Sequence, residues 1–204
     1  MSIIIGILDL STIGIVTDVD IETPSVNTKK IDIPGRNGSI DATEALTGYP
    51  TYDNRTITIS LAISGGVATC QSLYEKLASA LHGQWADINF DFMPGYYYEG
   101  RIAVSVDTGN KNYWTAKITA DCEPYAKKDS VTTKTISTGS LEVSSVMPTK
   151  LTIKATAQTS ITRGGTTTTY SVGTHEIAYP LLVGTETLTI NSGEGTIEWQ
   201  EGKL

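Results

Sequence analysis

The chain has 204 residues, a formal net charge of −7 and 39% apolar against 18% charged residues. That length allows one large or two small domains with a true core, and the composition is too apolar for general disorder. The acidic balance argues against nucleic-acid affinity, which needs clustered Lys and Arg, and two cysteines, Cys70 and Cys122, are too few for a disulfide framework.

In chain order, the most apolar stretch runs from Ser2 to Val16. It is interrupted by Asp9, is shorter than the ~20 residues of a spanning helix, and lacks the basic start and cleavage site of a secretory signal. No membrane segment and synthesis in a reducing cytoplasm are therefore expected, so Asn37-Gly38-Ser39 and Asn54-Arg55-Thr56 read as chance glycosylation matches. Val19, Ile21, Ile31 and Ile33 begin a period-2 pattern, with Asp18, Asp20 and Glu22 as the polar face of a strand. Arg36 to Pro50 is polar and long for a hairpin, and Pro34-Gly35 and Asn37-Gly38 mark tight turns. Ile57, Ile59, Leu61 and Ile63 then alternate with Thr and Ser, which predicts a half-buried strand.

Gln71 to Leu81 breaks the alternation. Leu73, Leu77 and Leu81 fall at i, i+4 and i+8 and predict one helical stripe, with Ser72-Leu73-Tyr74-Glu75 as a capping box, Thr69 as another N-cap, His82 at the end and Gly83 as the C′ residue. Strands resume with Ile88, Phe90 and Phe92; Ile102, Val104 and Val106; and Trp114, Ala116, Ile118 and Ala120, with Gly109-Asn110-Lys111-Asn112 as a turn. In Tyr96-Tyr97-Tyr98, Tyr96 and Tyr98 share one face, a core wall or a subunit contact.

Composition shifts near residue 126. Residues 1–125 hold 15 acidic and 8 basic residues and 12 of the 15 aromatics; residues 126–204 hold 7 of each charge and 18 Thr. Two domains are expected, 1–125 and 126–204. In the second, Leu151–Ala155, Leu188–Ile190 and Thr196–Trp199 alternate, and Arg163-Gly164-Gly165-Thr166 and Gly193-Glu194-Gly195 read as turns, so a small β-sandwich is expected.

Catalytic signatures are absent. The sequence has no G-x-S-x-G elbow, phosphate loop or dinucleotide fingerprint, and His175-Glu176 lacks the second His of a zinc-protease helix. Asp87-Ile88-Asn89-Phe90-Asp91 has Phe92 where a calcium loop needs Gly. Not an enzyme, no cofactor and no metal are the expectations.

Four stretches, Ile33–Asp41, Tyr52–Ile57, Leu81-His82-Gly83 and Asp91–Arg101, with the close Asp121-Cys122-Glu123-Pro124-Tyr125, together resemble the distal tail protein of long-tailed, non-contractile bacteriophages. The resemblance implies a mainly β fold: a tail-tube-like β-sandwich or split barrel with one helix in residues 1–125, then a small galectin-like β-sandwich. It implies a hexameric ring at the virion tail tip, made in the bacterial host, joining the tail-tube protein to tail-associated or baseplate proteins and leaving a channel for DNA, which passes without specific binding. Alternatives are a carbohydrate- or receptor-binding module and a tail-tube subunit. The resemblance also implies an inter-subunit belt at about 34–50, with Pro34, Gly35, Arg36, Asn37, Gly38, Asp41, Tyr52 and Arg55 as candidate contacts. Tyr96 and Tyr98 are candidate interface aromatics, and Asp18, Asp20, Glu22 and Asp107 candidate channel-facing acids. With Tyr170, Tyr179 and Trp199 the only aromatics of the second domain, Trp199 is expected to pack rather than to platform a sugar.

Overall fold

The computed structural model describes residues 1–109 and 113–204, and it divides into two compact units, Met1–Ala126 and Lys127–Leu204. The turn expected at Gly109–Asn112 falls, after its first residue, outside the described residues.

The first unit starts with β1 (Ile3–Ile5), β2 (Leu8–Asp9), a 3-10 turn (Leu10–Thr12) and β3 (Ile15–Ile21). A small hairpin, β4 (Lys30–Ile31) and β5 (Ile40–Asp41), precedes β6 (Arg55–Ser64), α1 (Val67–Leu81), β7 (Trp85–Phe90), β8 (Tyr96–Asp107) and β9 (Tyr113–Cys122). The main sheet is antiparallel in the order β2-β1-β7-β8-β9-β6-β3. Its register follows from the apolar alternation, because a one-residue slip would turn every buried side chain to solvent. Ile59 pairs with Ile118, and Ile118 with Val104, so Ile57, Ile59, Leu61, Ile63, Ile102, Trp114 and Ala116 share one buried face.

α1 packs on that face through Cys70, Leu77 and Leu81, each fully or nearly buried. Burying a leucine contributes about 1.5–3 kcal/mol, which a 15-residue helix, marginal by itself, requires. The helix begins four residues before the expected Gln71, at an N-cap Gly66 with no side-chain cap, so Ser72 and Glu75 lie inside it and form no capping box. Cys70, buried in the core, donates from Sγ to the carbonyl of Ile63 (3.5 Å) and anchors this extra turn. At the other end Gly83, at φ +77°, stops the helix, and its N–H donates to Ile102 O (2.8 Å). The amide of Val104 donates to His82 Nδ1 (3.0 Å), so this histidine fastens the helix end to β8.

The sheet curls. The 3-10 turn touches both β1 and β3, which lie near opposite ends of the strand order, and its Leu10 and the following Ile13 are buried in the same core. Met1 and Phe92, from the β1–β7 side, line a crevice with Val16, Val19 and Ile21 of β3. The result is a barrel left open between its two edges. Phe92, expected to continue its strand, lies past the end of β7, over half exposed and stacked on Phe90 at 4.9 Å.

In the second unit two four-stranded antiparallel sheets face one core. One contains β11 (Thr132–Ile136), β18 (Gly195–Trp199), β13 (Leu151–Ala155) and β16 (Gly173–Glu176), in that order; the other β12 (Gly139–Ser145), β17 (Gly184–Ser192), β14 (Thr159–Arg163) and β15 (Thr166–Tyr170). The short β10 (Ala126–Lys128) and β19 (Gly202–Lys203) meet where Lys128 N–H donates to Glu201 O (2.8 Å). Leu151, Ile153 and Ile197 from one sheet pack with Val143, Ile161, Leu188 and Ile190 from the other. β14 and β15 are joined by Gly164-Gly165, both at positive φ, the two-residue turn whose twist matches that of the strands.

Candidate assembly surface

The outward face of the curled sheet carries the first group of candidate residues. In β3 the period-2 rule aims Val16, Val19 and Ile21 at the core and leaves Asp18 and Asp20 outside, with Glu22 continuing the row. Thr17 is an extra residue between the pairs Val16–Leu61 and Asp18–Ser60, a bulge that suits an edge strand. The ladder runs across the sheet from Asp18 through Ser60 and Lys117 to Ser105, while Asp107 sits opposite Thr115. Asp18, Asp20 and Asp107 therefore share one face with small polar residues, all exposed or half-buried. Asp121, not singled out from the sequence, belongs there too, as do Lys117 and Arg101. The face is acidic in excess but interleaved with cations, which the strand parity of β9 could have revealed.

The second group lies on an arm. Between β3 and β6 the chain leaves the sheet and returns. A stem forms where Val26 bridges Tyr52, Asn27 N–H donates to Thr51 O (2.8 Å), Asp53 N–H donates to Ser25 O (3.0 Å), and Ser25 Oγ donates to Asp53 Oδ2 (2.9 Å). Beyond it β4 pairs with β5, Lys30 opposite Asp41. The amide and hydroxyl of Thr43 both donate to Asp41 Oδ1, which holds that carboxyl below its ordinary value. Pro34, Gly35, Arg36, Asn37, Gly38 and Asp41 are all exposed here. Ile31 and Ile33, whose spacing suggested strand residues, are 47% and 44% exposed, and Leu46 is fully exposed. Sequence alternation could not show this, because it records which residues are apolar and not whether a second layer covers them.

Two candidates need correction. Arg55, expected as a belt contact, is buried, with Nε and Nη2 donating to Pro124 O (2.9 and 2.5 Å) and Nη1 to Tyr98 Oη (3.0 Å). Its guanidinium also lies over the Tyr98 ring at 4.8 Å. A buried charge demands such partners, and satisfying them within its own chain leaves it unavailable to a neighbour. Tyr98, expected as a possible interface aromatic, is a core wall, 5% exposed and edge-on to Phe90; Tyr96 is half-buried against the same core. Tyr52, also half-buried, is at the arm's stem with its ring 5.9 Å from that of Tyr125.

In the second unit Trp199 is buried and donates from Nε1 to Ser144 O (3.1 Å), a packing residue that ties one sheet to the other. His175 lies in β16, near the Ser171 carbonyl (2.9 Å). No local pattern marks the role of Arg163. It grips Glu186 with two bonds of 2.7 Å and donates to the carbonyls of Ala178, Tyr179 and Pro180. This holds a loop in which Tyr179 adopts φ +66° and stands 83% exposed beside a groove of about 620 Å³.

Among the described residues, no cluster of His, Cys, Asp and Glu could hold a metal, and no helix is long and apolar enough to cross a membrane. The cysteines are free and buried, and burial pushes the Cys122 thiol up to about 12.

This architecture, a half-open barrel with one helix followed by a β-sandwich, recurs in a phage protein of known structure. No family model matches the chain, and no curated protein matches it. Among solved structures it is similar to SPP1 Dit (gp 19.1), described as a paradigm of the hub adsorption apparatus in phages infecting Gram-positive bacteria. The TM-score is 0.75 at 16% identity, over 100% of this chain and 99% of that one.

Proposed function

We propose that this chain is a structural subunit of a phage tail tip, a distal tail protein whose six copies close into a ring between the tail tube and the baseplate proteins. The observation that carries the reading is full-length similarity to a tail-hub protein over both units at once. Three features of this chain support the ring. Its main sheet ends in β3 and β2, two unsatisfied edges that can extend into neighbouring copies. Its arm presents Ile31, Ile33 and Leu46 without cover, the belt of the assembly. Its outward sheet face carries Asp18, Asp20 and Asp107, with Glu22 at its margin, and such a face lining a channel repels phosphate and lets DNA pass rather than bind. The second unit, galectin-like, serves host attachment in this reading. Catalysis has no part in it.

The test is sedimentation mass of the full chain beside the variant Ile31→Asp/Ile33→Asp/Leu46→Asp. A hexamer that the triple variant reduces to folded monomers supports the reading; a variant that assembles as well as the parent removes the arm from the interface. A second reading, a ligand-binding role for the second unit, rests on the groove beside Tyr179, and specific glycan binding lost on Tyr179→Ala would favour it.

A further inference from the structure

The arm and the exit of the chain from the first unit leave the sheet side by side. Arg55 opens β6 and Cys122 closes β9, and the two are register partners. From there both chains splay away together and are pinned twice. Arg55 reaches past Cys122 to take the carbonyl of Pro124 with two N–H groups, and it anchors on β8 through Tyr98 Oη. Three residues before Arg55, the Tyr52 ring meets the ring of Tyr125, which stands three residues after Cys122. Tyr52 is also the residue that bridges Val26 across the arm's stem, and Asp53 next to it is bonded twice to Ser25. The guanidinium is buried and its fork is fixed by planar geometry, so it cannot follow one partner and leave the other. This loop root is held by a desolvated cation and by two aromatic rings meeting edge to face.

We propose that Arg55, Tyr52 and Tyr125 are positioning residues that make the arm's root and the exit at Pro124–Tyr125 one mechanical piece, so that fixing the arm stiffens the exit and loosening the exit frees the arm. Coupling of this kind is reciprocal, because each site changes the other by the same free energy. Its use during assembly, where a neighbour holding the arm would order the segment leading out of the first unit, rests on the ring reading; the coupling itself does not.

The experiment is hydrogen exchange by mass spectrometry and NMR on the full chain, at a concentration where sedimentation shows monomer, so that failure to form rings does not bear on it. Tyr125→Ala is expected to speed exchange at least threefold at Lys29 and Ala42. Those amides bond within the arm, Lys29 N–H to Thr43 Oγ1 and Ala42 N–H to Lys29 O. Tyr52→Ala is expected to do the same at Lys128, whose amide bonds Glu201. Arg55→Lys, which keeps the charge and loses the fork, is expected to affect both sites. Amides of Ile59 and Ile118, inside the sheet, report that the fold is intact and should not change. Faster exchange confined to residues 52–55 in one variant and 124–125 in the other, or no change at Lys29 and Ala42, would overturn the proposal.

Discussion

Gly100 offers the sharpest check on the register of the first unit. It lies in β8 opposite Cys122, where the backbone of β9 leaves no room for a side chain. A Cβ built there would stand 2.7 Å from Cys122 Cα and from its Sγ, and nearer still to the carbonyl oxygen of Asp121, whereas real Cβ atoms essentially never come within 3.0 Å. The nearest atoms are backbone, so no rotamer relieves the clash and the two strands must part locally. Overpacking of this sort costs about 1–3 kcal/mol, and each ladder hydrogen bond lost adds about 1 kcal/mol. We therefore expect Gly100→Ala to destabilise by about 2–4 kcal/mol, a fall in Tm of roughly 6–15 °C for a unit of this size. Differential scanning calorimetry of the full chain measures it. Adding Cys122→Ala should not restore stability, because the Asp121 carbonyl remains in the way. A loss below about 1 kcal/mol in Gly100→Ala, or rescue by Cys122→Ala, would refute the register reasoning.

Other consequences can be measured alongside. Leu77→Ala removes a fully buried contact between α1 and the sheet and should cost about 2–5 kcal/mol in urea unfolding. Arg163→Met breaks the bonds that hold the loop around Tyr179; it should cost about 1–3 kcal/mol and open residues 177–183 to limited proteolysis. The Cys122 thiol, raised from 9.0 to about 12 by burial, keeps its proton in the fold while the unfolded chain loses it. Its contribution to stability is whole below pH 9 and declines as pH rises from 9 toward 12, which urea titrations at pH 8, 9.5 and 10.5 would follow, the decline being smaller in Cys122→Ala. Native Cys122 should also resist thiol reagents at pH 8.

Much of the sheet was legible because its strands bury one face only. The alternation of Ile57–Ile63, Ile102–Val106 and Trp114–Ala120 fixes which side is inward; the outward parity of Asp107 follows from it, and that of Asp18 and Asp20 from Val19 and Ile21 beside them. The α1 stripe was readable for the same reason, with a different period. What escaped was set by tertiary contacts. The first turn of α1 is held by Cys70 under the sheet rather than by a cap, so the cap-based start was late. Arg55 looks like any polar residue beside a turn until Pro124, 69 positions away, is brought to it. Arg163 and Glu186 find each other across 23 residues that no local pattern connects. Ile31 and Ile33 alternate like core residues, yet the arm that carries them has no second layer.

The proposed ring can be tested by native mass of the full 21.8 kDa chain together with electron microscopy of the same sample, alone and mixed with phage tail-tube and baseplate proteins encoded beside it. The expected result is a species of six times the chain mass, seen as an annulus with an open centre and with Asp18, Asp20 and Asp107 facing that centre. A monomer that stays a monomer with those proteins present, or a ring with the acidic sheet face turned outward, would contradict it.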